Sequence, residues 1–225
     1  MNNSFLKLFI FFLIFLGNLQ ASKIAVVTKV KGLVELMPNG KKLFIKLKAG
    51  TILADGDKIR TGTSGFAAVI FIDDKSTLKL KGNSEAVITG QRTAASISKK
   101  INMDSGTIRA TIKKQNTSFV IQTPTSVASV KGTDFWLITD PDKGDQVIGL
   151  EGIVGLKNID TGQDVDVVEG MSGISTPDGE IGIEETVASS IPNDPSDASE
   201  DGISQFKIYF EGPNGTQKIM VIEYQ

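Results

Sequence analysis

Side-chain polarity in this chain alternates with a period of two, in short runs cut by turn sequences. LVELM (33–37) leads through Pro38-Asn39-Gly40 into KLFIKL (42–47), which ends at Ala49-Gly50. FAAVIFI (66–72) leads through Asp73-Asp74-Lys75 into STLKL (76–80). The texture continues in SISKKINM (96–103), TIRATI (107–112), SFVIQT (118–123), FWLIT (135–139), QVIGL (146–150) and GIVGL (152–156). Successive residues of an extended strand point to opposite faces, so a period of two buries one face of a strand but spreads apolar residues around a helix. Turn signals about 8–12 residues apart then predict an all-β body, built as a sandwich, barrel or solenoid. Glycines at 32, 50, 56, 62, 82, 106, 132 and 152 fall at run boundaries, where the chain must turn tightly.

Both ends differ from this body. Residues 1–21 place Lys7 before an apolar run from Leu8 to Leu16, followed by Gly17 and Ala21. That is the build of a secretory signal peptide cleaved after Ala21, and the run is shorter than the ~20 residues of a membrane-spanning helix. The expected product is exported, to the periplasm or the cell surface, without a stable transmembrane span; an uncleaved leader serving as an anchor is the alternative. Over 176–202 prolines and acids replace the apolar runs, which predicts a solvated acidic linker, with Ile183, Val187 and Ile191 spaced for at most one short helix. ISQFKIYF (203–210), Gly212-Pro213-Asn214-Gly215 and TQKIMVIEY (216–224) read as a β-hairpin. The expected organisation is a signal peptide (1–21), a β domain (22–175), a linker (176–202) and a C-terminal hairpin (203–225).

The chain contains no Cys and no His. Disulfides, a thiol nucleophile, an imidazole base and thiolate or imidazole metal ligands are therefore excluded. Catalysis would have to run on carboxylates, Lys, Tyr or a Ser–Lys pair, and no nucleophile–base–orienter set is visible. No enzyme, cofactor or metal is expected. Asp73 and Asp74, as strand neighbours, would point to opposite faces, and in a turn they would serve the turn. Asp140, Asp142 and Asp145 look like a hard-cation loop, but Gly144 and Asp145 stand where an acid and a Gly are required, so a hairpin turn is predicted there. Gly132-Thr133 before Phe135-Trp136 reads as a tight turn entering a core strand, with the Thr133 hydroxyl bonded locally to the backbone.

An ordered series of motifs carries a family resemblance. It comprises Gly56-Asp57 with Ile59 and Thr61; Ala67, Val69, Phe71, Asp73 and Ser76; Thr123-Pro124; Lys131-Gly132-Thr133 with Phe135; and Glu151-Gly152 with Val154. The series resembles the FecR domain and runs over most of 24–175. Lys75 stands where that family commonly has a turn glycine, which implies a different local turn, and Lys131 replaces its usual arginine, keeping the charge without the planar fork. The resemblance implies a β-solenoid-like or sandwich-like fold and a non-catalytic domain that meets another protein or an envelope polymer. Family sensors also carry a cytoplasmic segment that controls a sigma factor. Only Met1 to Lys7 precede the apolar run here, so the resemblance is to the exterior half.

The formal net charge of −2 argues against a bulk polycation of the nucleic-acid-binding kind. It is also a cancellation: residues 22–114 hold 18 Lys+Arg and 7 Asp+Glu, residues 115–225 hold 5 and 19. The two halves could neutralise one another within one fold, the basic half could attach to anionic envelope material, or chains could associate head to tail. The expected contact surface is basic, with Lys29, Lys31, Lys41, Lys42, Lys46, Lys48, Lys79 and Lys81 as candidates. The sequence thus reads as an exported envelope module that binds a protein or an anionic polymer. A self-assembling surface protein, and a sensor domain held by an uncleaved leader, are the alternatives.

Overall fold

The structure is a computed structural model that describes residues 22–93, 96–114 and 117–195, with the backbone of 204–211 and 217–224. The leader read at 1–21, the end of the linker at 196–202 and the hairpin turn at 212–216 lie outside the described residues.

The body is all strand: β1 (Lys23–Lys31), β2 (Val34–Met37), β3 (Ile45–Lys46), β4 (Ile52–Ala54), β5 (Asp57–Thr61), β6 (Phe66–Phe71), β7 (Thr77–Leu80), β8 (Glu85–Arg92), β9 (Ile97–Thr111), β10 (Phe119–Gln122), β11 (Ser126–Val130), β12 (Asp134–Asp140), β13 (Gly144–Glu151), β14 (Ile153–Asn158), β15 (Asp164–Val168), β16 (Met171–Ser175) and β17 (Ile181–Glu185). Their pairing forms two layers. Layer I has the order β4-β1-β6-β7-β9-β12-β13-β16-β17. Layer II has the order β3-β2-β5-β8-β9-β10-β11-β14-β15. Every neighbour is antiparallel except β9–β10.

Strand β9 belongs to both layers and joins them. Its first half pairs with β8 and β10, its second half with β7 and β12. The change of layer falls at Gly106, whose φ is +116° and whose missing Cβ would lie 2.4 Å from Ser84 Cα. Only glycine fits both the backbone and the space. Elsewhere short hairpins alternate between the layers, a sandwich wound in solenoid fashion.

The period-two pattern buries what it should. Ala67, Val69 and Phe71 of β6, Leu78 and Leu80 of β7, and Phe119 and Ile121 of β10 are buried in one continuous core. Phe71 of layer I meets Phe119 of layer II edge-on, with ring centroids 5.6 Å apart. A side chain on Gly173 of layer I would strike Val167 of layer II at 2.3 Å, so the layers also close tightly at their far end.

The stretch read as a linker carries strand β17, paired with β16 from Met171↔Glu185 to Ser175↔Ile181. Acidic side chains hid this strand, because an edge strand exposed along almost its whole length tolerates adjacent Glu184 and Glu185. A 3-10 turn at Ala188–Ser190 stands where the short helix was considered. β18 (Ser204–Glu211) and β19 (Gln217–Tyr224) form a separate antiparallel two-stranded sheet, in register from Ser204↔Tyr224 to Glu211↔Gln217.

Candidate functional site

The motif residues build turns and crossings. Asp57 is buried, and its carboxylate accepts from Asn39 N and Ala54 N, both at 2.9 Å, holding the β4–β5 turn in which Gly56 has φ +82°. The Thr61 hydroxyl donates to Lys81 O and accepts from Ser84 N, tying β5 to the β7–β8 turn across the layers. Ser76 Oγ accepts from Lys113 N at 3.0 Å. Phe135 is a core residue. Gly132 and Gly152 both have positive φ, and a Cβ on Gly152 would lie 2.7 Å from Gly132 O. Lys131 and Glu151 are exposed beside this crossing. Thr133 bridges through its backbone to Ile112, while its buried hydroxyl has no partner among the described residues, so the local hydroxyl bond expected there is not made.

Lys75 adopts the left-handed conformation that favours glycine: its φ is +63°.

Asp73 and Asp74 converge, contrary to the strand argument. They lie in the β6–β7 turn, and each places an oxygen 2.8 Å from Lys99 Nζ. Lys99 has no exposed side-chain surface, and its ammonium also lies 5.3 Å from the Phe71 ring centre. Asp73 accepts from Ile97 N, Asp74 from Ser76 N. Burial by itself would raise the Asp73 pKa, but the Lys99 hydrogen bond and charge outweigh it and hold the carboxyl below its ordinary 3.8. Two carboxylates around one cation, each also accepting from a backbone N–H, make a buried cross-layer tie between β6–β7 and β9. The sequence signal was Lys99 itself, a cation at an inward position of a period-two run.

A second buried polar knot joins the TP motif to the supposed cation loop. Asp145 is 2% exposed and accepts from the Thr123 and Ser126 hydroxyls. Asp140 and Asp142 are on the surface turn that links β12 to β13, where Asp140 Oδ1 accepts from Asp142 N. The three acids therefore do not converge, and among the described residues no group of three metal-ligating side chains is assembled. Pro124 stands in the β10–β11 turn beside Thr123, whose hydroxyl accepts from Ser126 N at 2.8 Å.

The eight candidate lysines separate into two groups. Lys41, Lys42, Lys46 and Lys48 are exposed on and around β3, the edge of layer II. They flank Leu43 and Ile45, which are 78% and 54% exposed. None of the four takes part in an ion pair among the described residues. Lys29, Lys31, Lys79 and Lys81 lie instead on the outer face of layer I. There Lys29, Ala68, Lys79, Arg109, Trp136, Ile148 and Ser172 form one cross-strand row. Lys79 Nζ is 2.6 Å from Asp194 Oδ2, and Arg109 bridges Asp134 at 2.8 Å and Asp194 at 2.9 Å. Asp134 first, then Asp194, raise the already high pKa of Arg109. At this place the basic and acidic halves neutralise each other within one chain.

A shallow groove of about 560 Å³ crosses the outer face of layer II, lined by Thr89, Gln91, Ser98, Lys100, Asn102 and Gln122 among others. Alternation predicts these residues outward, but nothing in one strand's pattern says that three strands will curve into a groove. Among the described residues no helix is long and apolar enough to cross a membrane.

No curated protein matches the sequence. Two crystal structures of a "putative anti-sigma factor" from Parabacteroides distasonis are similar to the chain at 14% and 16% identity, with TM-scores of 0.49 and 0.47. Each alignment covers 57% of this chain and 59% of the other, so the chain spans about three fifths of those proteins. The family model described as FecR protein matches residues 57–155, from the start of β5 into β14, which is the middle of both layers. Residues 57–155 of this chain match the FecR family.

Proposed function

We propose that the chain is a non-catalytic, exported module of the cell envelope that binds a protein or an anionic envelope polymer through the β3 edge. One observation carries this reading: Lys41, Lys42, Lys46 and Lys48 surround exposed Leu43 and Ile45 without ion-pair partners among the described residues. Unneutralised cations attract an anionic surface over a distance set by ionic strength, and exposed apolar side chains reward close contact. Among the described residues strand β3 pairs only with β2, so its outer edge also offers backbone groups to an added strand. This edge lies outside the FecR match, and the match supplies the rigid layers on which it is mounted.

The test is the quadruple variant Lys41→Glu, Lys42→Glu, Lys46→Glu, Lys48→Glu. It is compared with the parent for co-sedimentation with vesicles of phosphatidylglycerol and for crosslinked capture in intact cells. Loss of both types of contact is expected. Undiminished binding in both overturns the reading.

A second reading has its own support. Layer II is an open sheet whose one edge, β3, is basic and whose other edge, β15, presents exposed Asp164 and Asp166. Such edges are complementary for head-to-tail assembly. Sedimentation across a salt series separates the two: self-association that weakens with salt supports assembly, and a monomer at every salt concentration rejects it.

A further inference from the structure

The outer face of layer I hides apolar side chains that do not belong to the core between the layers. Trp136 is 1% exposed, Phe66 and Ile148 are buried, and none of the three is part of the interlayer cluster. Lys81 Nζ lies 5.6 Å and the Arg109 guanidinium 5.9 Å from the Trp136 ring centre, distances at which a cation is attracted to the indole face. These two cations, of which Arg109 is also paired with Asp134, border a buried indole.

The chain itself supplies an occupant. After β17 it does not leave the sheet but turns back across this face. Thr186 Oγ1 is 2.9 Å from Ser172 Oγ on β16, Asp194 Oδ2 reaches Lys79 of β7 and Arg109 of β9, and Lys31 Nζ of β1 donates to Pro195 O at 3.3 Å. The crossing therefore runs from β16 to β1, over β13, β12, β9, β7 and β6. Six inter-strand steps span ~29 Å, and the nine residue steps from 186 to 195 reach ~30 Å when extended. The 3-10 turn at Ala188–Ser190 shortens that reach, and the long side chains of Lys31 and Lys79 make up the difference. The side chain of Asp194 is 3% exposed, whereas Val187 and Ile191 are exposed. The strap is thus held by its carboxylate and its backbone more than by apolar burial.

We infer that Lys31, Lys79, Lys81, Arg109 and Trp136 form a binding site for an extended acidic peptide, which residues 186–195 occupy in cis. A strap anchored by a carboxylate exchanges with a competing carboxylate peptide, because the cations that hold Asp194 are the ones that would hold the competitor. The ligand class is an extended segment carrying Asp or Glu beside small or proline residues, presented by a partner protein. This site is on the opposite layer from the β3 edge and does not depend on it.

The test uses the full chain and a fluorescein-labelled peptide, TVASSIPNDP, with its Asp→Asn form as control. Trp136 is the sole tryptophan and reports the site directly. In Asp194→Asn, Trp136 emission is expected to move to longer wavelength, and the acidic peptide to bind at least tenfold more tightly than to the parent. The Asn peptide should lose that gain, and added salt should weaken it. A second arm needs no variant: amide exchange over 186–195 of the parent, followed by mass spectrometry, should accelerate as unlabelled peptide is added to millimolar concentration. Equal peptide binding to parent and variant, or exchange in 186–195 that is unmoved by the peptide, overturns the inference.

Discussion

The Lys99 ammonium lies 2.8 Å from the Asp73 carboxylate, although Lys99 presents no side-chain surface to solvent. With Asp74 at the same distance, this cation closes the β6–β7 turn of layer I onto the strand that joins the layers. Buried ions are costly to leave alone and cheap to remove together. Lys99→Ala is therefore expected to lower stability by about 3–5 kcal/mol. The triple change Lys99→Met, Asp73→Asn, Asp74→Asn should recover most of that loss. Urea midpoints at neutral pH check both.

The same pair makes a pH prediction with a definite sign. The folded pKa of Asp73 lies below its ordinary 3.8, so its contribution to stability is present above that value and is lost as pH falls through the folded pKa. Urea midpoints measured downward from about pH 5 should fall more steeply for the parent than for Asp73→Asn, which has no proton to take up there. Parallel curves would show that the pair does not contribute.

Lys75 pays for its position in backbone strain. A left-handed φ costs an L-residue about 1–2 kcal/mol, partly offset in glycine by the greater freedom of the unfolded chain. Lys75→Gly is expected to stabilise by up to about 1 kcal/mol. Gly152→Ala should do the opposite, since φ there is +77° and the new Cβ would press on Gly132 O at 2.7 Å. Thermal melts of the two variants should shift in opposite directions.

Asp145 is opposite Thr139 across β12–β13 and is the common acceptor of two buried hydroxyls. Asp145→Ala strips the acceptor from Thr123 and Ser126 and is expected to cost about 2–4 kcal/mol. Asp145→Asn keeps an acceptor oxygen and should cost less. Calcium added to the parent should leave the melting temperature unchanged, because Asp140 and Asp142 sit on the surface, away from this carboxylate. A calcium-dependent rise would restore the cation-loop reading.

What could be read before folding was whatever one strand encodes by itself. Period two told which of Phe119, Val120, Ile121 and Gln122 face inward, and the turn residues told where hairpins end. The ordered motifs pointed to the FecR domain, whose model matches residues 57–155. Strand β17 escaped because an exposed edge strand with adjacent Glu184 and Glu185 has the composition of a linker. The turn at Asp73-Asp74-Lys75 was legible, but its closure on Lys99 was not, because that cation comes from another strand 25 residues away from Asp74.

The sequence by itself determined that this is an all-β chain, and that its charge is divided into a basic half and an acidic one. Both follow from local order along the chain, since side-chain alternation needs no distant partner. Only the tertiary structure decided how the lysines are used. Lys79 is held by a carboxylate 115 residues away, while Lys46 on the β3 edge has no ion-pair partner among the described residues. A charge becomes a contact surface or a structural tie according to what the layers bring opposite it, and that is set by strand order and by the path of the chain across the sheet.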